Sequence, residues 1–265
     1  EDAQKLMRAN ATADAAPQHA PAGEPRPDTP VPHFMDFDKP DDFRPQSLPV
    51  AEAGARGVNN YVCRGFQMLV DEYKRADHPS KQTFDELVSR AKDCAMLLDS
   101  AAALDPSDHA VNLLIMQNCA EIEDAVQAAR YYEKDEEGNW KSDSGFFVKL
   151  EIAGQKDSWS DKARYHRNFL EQEFVDSHTE QWQRKLELKA QADALNADLA
   201  DLKTEKRGKG LFNFAEKREV KDRMKPVKEE LAGVQRQISE IDRMVDKYVD
   251  AKLESLGQTF TRLSF

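Results

Sequence analysis

Ten basic side chains fall between Lys203 and Lys228 against four acidic ones, a local +6 in a chain whose formal charge is −11. At the centre of this run lies Leu211-Phe212-Asn213-Phe214. Cations around aromatic rings can attract phosphates and stack on bases, or press rings into an anionic membrane surface, where each Lys or Arg adds about 1 kcal/mol. They can equally dock on a protein. The plainer alternative is that the rings close the end of a helical pair and the charges are solvated. Lys206, Arg207, Lys209 and Arg218, with Leu211, Phe212 and Phe214, are therefore candidate partner-contact residues.

A second set lies near the N-terminus, in His33-Phe34-Met35-Asp36-Phe37-Asp38-Lys39-Pro40-Asp41-Asp42-Phe43. Aromatic and acidic residues alternating in a flexible segment can dock into a groove, either on a partner or on the chain's own helices. Phe34, Phe37 and Phe43 are the residues that would do so.

Catalytic patterns are missing. The sequence contains no H-E-x-x-H, no G-x-S-x-G and no Glu-x-x-His, the spacings that place metal ligands or a nucleophile on one local element. Its six histidines are dispersed, without an i, i+4 pair. Arg207-Gly208-Lys209-Gly210 lacks the spacing of a phosphate loop and a strand before it. No metal and no cofactor is expected, and the chain reads as a non-enzyme. A site assembled from distant residues stays as the third alternative.

The elements that must position the basic run are two long helices. Val220, Met224, Val227, Leu231, Val234, Ile238, Ile241, Val245 and Tyr248 recur in steps of three and four, which holds one apolar seam toward a partner helix. Leu188, Ala192, Leu195, Leu199 and Leu202 form a shorter matching seam, with Phe169, Phe174, Trp182 and Leu186 upstream. A reversal near residues 208–214 would set Leu199 near Met224, Leu188 near Val234, Trp182 near Ile241 and Phe174 near Tyr248. The spacing therefore predicts an antiparallel coiled-coil hairpin over residues 158–265. Pro226 conflicts with it, because proline removes a helix donor and crowds the carbonyl four residues back. A kink or a restart of the helix is expected there.

Residues 51–132 read as a three-helix bundle. Its first helix is expected from about Val58 to Arg75, its second from Thr83 with Glu86 completing a capping box, and its third after a cap at Asp105 and a first-turn Pro106. The junction Ala101–Asp108 resembles the link between tetratricopeptide repeats. The Trp and Gly positions of that family are missing and no self-similarity at about 34 residues follows, so a repeat array is not expected. Residues 133–157 form a connector with turn chemistry at Asp135–Asn139 and an alternation from Phe146 to Ile152 that allows a short strand or hairpin. Residues 1–50 carry most of the 12 prolines and few branched residues; such a stretch cannot bury enough apolar surface to offset its ordering entropy.

Composition sets the outer bounds. One third of the 265 residues are charged and 40% are hydrophobic, values suited to long exposed helices. The acidic balance opposes a whole-chain nucleic-acid binder. Cys63, Cys94 and Cys119 are far apart and read as small buried apolar residues of a reducing compartment. No stretch approaches the roughly 18 apolar residues needed to cross a bilayer, and Glu1–Thr12 lacks the basic and apolar regions of a secretory signal. Taken together, an all-α, cytoplasmic scaffold or adaptor is expected, recognising a protein partner through the hairpin and the N-terminal arm and able to self-associate. The alternative is a module whose basic aromatic turn contacts nucleic acid or an anionic membrane.

Overall fold

The computed structural model describes residues 37–209 and 213–256. These residues are mostly helical, with one small two-stranded sheet. Residues 1–36, most of the expected Pro-rich arm, lie outside the described residues, as does the centre of the expected turn.

The described chain begins by folding onto its own helices. Two 3-10 turns, Pro40–Asp42 and Pro45–Ser47, lead into helix α1 (Val50–Arg75). This helix starts earlier than expected from Val58, because residues 51–55 supply helix-forming alanines without an apolar signal. Gly54 interrupts its first turns at φ 67°, a conformation glycine adopts without steric cost. Beyond it Val58, Tyr61, Val62, Phe66, Val70 and Tyr73 are buried on one stripe.

Helix α2 (Lys81–Ala102) is capped by Ser80, whose Oγ accepts the Thr83 N–H at 3.1 Å. The cap expected at Thr83 is thus displaced, since the earlier hydroxyl reaches a free first-turn donor. Helix α3 (His109–Ala128) likewise starts after Asp108, which accepts the Val111 N–H at 3.1 Å. Asp105, the cap expected from sequence, instead accepts from the Ser107 N–H and hydroxyl and closes a turn ahead of the helix. Val111, Leu113, Leu114, Ile115, Met116, Cys119 and Ile122 are all buried. Consecutive buried positions cannot share one helix face, so α3 is enclosed by neighbours.

A β-hairpin follows, β1 (Arg130–Lys134) pairing antiparallel with β2 (Trp140–Ser144). Its turn is closed by Asp135, whose Oδ1 accepts from the Glu137 and Asn139 N–H groups, with Gly138 at φ 83°. The alternation from Phe146 to Ile152 does not form a strand. Its backbone bonds go elsewhere: Gly145 N–H donates to Ala129 O, the Leu150 N–H to the Glu123 carboxylate, and Gln127 to Val148 O.

The long first arm is two helices, α4 (Trp159–Ser177) and α5 (Thr179–Gly208), broken at His178. Helix α4 lies on α3 and α2 through His109 stacked on Phe169 at 4.0 Å and Lys162 bonded to Asp99 at 2.8 Å. Phe169 remains partly exposed, as does Leu186 on α5, so neither is the seam contact its hydrophobicity implied. Helix α6 (Phe214–Glu254) runs about 60 Å and is continuous through Pro226, so of the kink or restart expected there the restart does not occur. Helices α5 and α6 run antiparallel: Leu199 clusters with Val220 and Met224, and Leu188 with Val234 and Ile241. Farther along, Phe174 meets Tyr248 at 5.7 Å and Glu173 binds Lys252 at 3.0 Å, which seats the end of α6 on α4.

Candidate functional site

The end of the α5 and α6 pair gathers most of the sequence-derived contact residues. Helix α5 delivers Lys206, Arg207 and Lys209 in its last turn and just beyond it; α6 delivers Phe214 at its first position and Arg218 one turn on. The two helices are brought together there by Leu199, Val220 and Met224, with Leu202 and Val227 packed around them. Helix propensity holds both arms to the end, since the charged residues flanking these apolar positions are strong helix formers.

Part of the positive charge is spent within the pair. Lys209 Nζ lies 3.0 Å from Glu216 and 3.9 Å from Glu205, and Arg223 lies 3.2 Å from Glu205. The hydrogen bond from Lys209 raises its own pKa and lowers that of Glu216, so both stay charged at neutral pH and tie the two helix ends. Arg207 and Arg218 are exposed, Lys206 is half-buried, and none of the three has an ion pair among the described residues. Phe214, one turn before Arg218 on α6, is 74% exposed. Leu211 and Phe212 lie outside the described residues. What the described part can do is offer a rigidly based aromatic ring beside uncompensated cations.

The N-terminal set is placed quite differently. Phe34 lies outside the described residues, while Phe37 and Phe43 are buried. Their ring centroids lie 5.5 Å from each other and each 5.1 Å from that of Tyr61. Gly65 of α1 makes the notch, for a Cβ there would fall inside the Phe43 ring. Polar contacts pin the segment's backbone: Arg64 donates to Phe37 O and Arg90 to Phe43 O, each at 2.7 Å, and the Arg44 N–H donates to Tyr61 Oη at 2.9 Å. Of the two dockings open to these aromatics, Phe37 and Phe43 take the one onto the chain's own helices. They are core residues, unavailable to a partner while this packing holds.

Residues that sequence reasoning passed over include Phe146 and Phe147, 67% and 91% exposed on a turn pinned to the end of α3. Their alternation looked like a strand, and no local signal separates a strand from a pinned turn. His109 and His166, 57 residues apart, meet with their Nδ1 atoms 3.0 Å from each other; only the packing of α4 on α3 reveals them. No group of three or more His, Cys, Asp or Glu able to hold a metal occurs among the described residues. Burial pushes the thiols of Cys94 and Cys119 up, and that of Cys63 to about 12, which leaves all three protonated and poor nucleophiles at neutral pH. Among the described residues no helix is long and apolar enough to cross a membrane. Comparison with protein-family models, with curated proteins and with solved structures gives no significant match.

Proposed function

We propose that this chain is a non-enzymatic cytoplasmic scaffold or adaptor whose antiparallel coiled-coil hairpin, α5 with α6, presents its turn to a protein partner. The observation that carries the reading is Phe214, a large ring 74% exposed at a helix end one turn before Arg218, which like Arg207 at the end of α5 has no ion pair among the described residues. Aromatic side chains and Arg are among the residue types enriched at protein contacts, where a few residues carry most of the binding energy. The burial of Phe37 and Phe43 shifts the N-terminal contribution to Phe34 and the residues before it.

The same uncompensated cations favour a second reading, in which the turn binds nucleic acid or an anionic membrane. One experiment separates the two. The full chain and a Phe212→Ser/Phe214→Ser variant of equal helicity are used as baits in lysate, and both are tested against single-stranded oligonucleotide and phosphatidylserine vesicles over a salt series. Retention of one defined protein by the parent and its loss by the variant supports the scaffold. Salt-sensitive binding to the oligonucleotide or the vesicles, abolished when Arg207 and Arg218 become Glu, moves the function to the second reading.

A further inference from the structure

The paired helices α5 and α6 have two broad sides, and the cross-helix contacts tell which flank of one helix shares a side with which flank of the other. Along one side Glu205 meets Arg223 at 3.2 Å, Gln191 meets Glu230 at 3.0 Å and Arg184 meets Gln237 at 3.4 Å. Along the other, Lys185 meets Asp242. Helical residues separated by near-integral numbers of turns share a flank. In step with Glu205 and Gln191 stand Glu187, Asp198 and Asp201, and in step with Arg223 and Glu230 stands Glu219. A groove of about 700 Å³ opens on this side, lined by Asp198, Asp201, Glu205, its partner Arg223 and Pro226 over Leu202 and Val227. In step with Lys185 stand Lys189, Lys203 and Arg207, and in step with Asp242 stand Lys228, Lys221 and Lys217. On balance one side of the pair is acidic, despite Arg184 and Arg223, and the other basic, despite Asp242 and, one turn on, Asp246.

These charges are not used up at home. Asp198, Asp201, Glu219 and six of the seven cations of the basic side, all but Lys185, take part in no ion pair among the described residues. Both sides run along the same two helices toward the same end, so their extents match. We propose that the acidic side of one copy stacks on the basic side of another. The contact is heterologous, because the two sides differ, and it therefore leads to rings or open stacks rather than to a closed two-fold pair. Like charges elsewhere on the chain repel, but at physiological salt they are screened beyond about 8 Å, and the apposed sides govern the contact. This inference rests on the hairpin as a contact element and not on the aromatic turn.

The test is sedimentation velocity of the full chain across two decades of concentration, at about 50 mM and about 500 mM salt. Two charge-reversed variants go alongside it, each checked for unchanged helicity. In Asp198→Lys/Asp201→Lys/Glu219→Lys both sides are basic; in Lys203→Glu/Lys221→Glu/Lys228→Glu both are acidic. The parent is expected to rise at least about twofold in average mass at low salt and to return to a monomer at high salt. Each variant alone is expected to stay monomeric, and an equimolar mixture of the two to regain the parent's mass. A parent that is monomeric throughout overturns the proposal, and so does a mixture that does not associate or a single variant that associates as well as the parent. If the parent stays monomeric yet binds single-stranded oligonucleotide through the basic side, that side serves a polyanion instead. Loss of self-association here, with partner capture still dependent on Phe214, would leave the scaffold reading standing.

Discussion

The helical unit from Phe37 to Ser177 and the pair formed by α5 and α6 are built from the same residue types in different geometry. In the first, Phe43, Phe66, Leu98, Ile115 and Ile122 are almost fully enclosed, each by several elements. In the second, two helices share one seam, along which Leu195, Leu199, Met224 and Ile241 keep 6–8% of their surface exposed, although Leu188 and Val249 reach comparable burial. A side chain enclosed from all directions leaves a cavity when it is cut back, whereas one lying in a seam leaves a notch that solvent and neighbours can fill. The first region should fail abruptly under mutation and the second gradually. That division suits an element whose task is to carry a surface rather than to enclose a site.

The sharpest way to break the comparison is at the Phe43 notch. Phe43→Ala is expected to cost about 3–5 kcal/mol, measured by denaturant unfolding. Gly65→Ala should approach it although nothing is deleted, because the new methyl occupies the ring's place. Gly65→Ala should expose the peptide bonds after Phe37 and Phe43 to chymotrypsin under native conditions, and Phe43→Ala the bond after Phe37. Persistent resistance at those bonds would mean that the segment is held by something other than its rings.

Next in size comes the seam. Leu199→Ala is expected to cost about 2–3 kcal/mol and to open α5 and α6 while the near-ultraviolet signal of the Phe37–Ser177 unit persists. Amide exchange that accelerates in 179–254 alone would show this, since elements with few enclosing neighbours open first. Equal acceleration in α3 would instead show the two regions to be one cooperative unit.

What could be read in advance follows the same division. The antiparallel register of α5 on α6 was legible, because a repeating seam reports its own partner face; Leu199 near Met224, Leu188 near Val234 and Phe174 near Tyr248 follow from counting alone. The break at His178 was not, although Asp176, Ser177 and Thr179 are weak helix formers, because the apolar pattern runs on across it; His178 there stacks on Phe174 at 4.3 Å. Nor was the continuity through Pro226, where packing along α6 outweighs one lost donor. The caps of α2 and α3 shifted by a few residues because Ser80 and Thr83, or Asp105 and Asp108, are equivalent in sequence and differ only in which one meets a free N–H. Of the candidate contact residues, those at the turn were marked by charge and spacing. Phe37 and Phe43 carried the same composition signal, yet the notch that takes them depends on Gly65 and Arg90, distant positions with no pattern of their own.

Lys185 offers a finer probe of the pair. Its side chain is only 10% exposed, bonded to Asp242 and lying over the Trp182 ring at 4.4 Å. A double-mutant cycle with Lys185→Ala and Asp242→Ala should give a coupling of about 1 kcal/mol, between that of an exposed pair and that of a buried one. A coupling indistinguishable from zero would show that α5 holds its register by the apolar seam alone.

The smallest effect expected is set by pH at the α3 and α4 contact. His109 and His166 meet Nδ1 to Nδ1 at 3.0 Å, so one ring must donate and the other accept. Burial of His166, and then the neighbouring His109, lower the His166 pKa. The folded protein thus holds this ring neutral, while the unfolded chain takes up a proton at about pH 6.5. Stability is therefore fully present above that pH and declines as the pH falls through it, levelling off once the lowered folded value is passed. His166→Gln keeps a polar side chain at the contact without the titration. Unfolding midpoints recorded between about pH 7.5 and pH 5 should slope less for this variant than for the parent. Parallel slopes would place the acid sensitivity in another group and leave the histidine pair a packing contact.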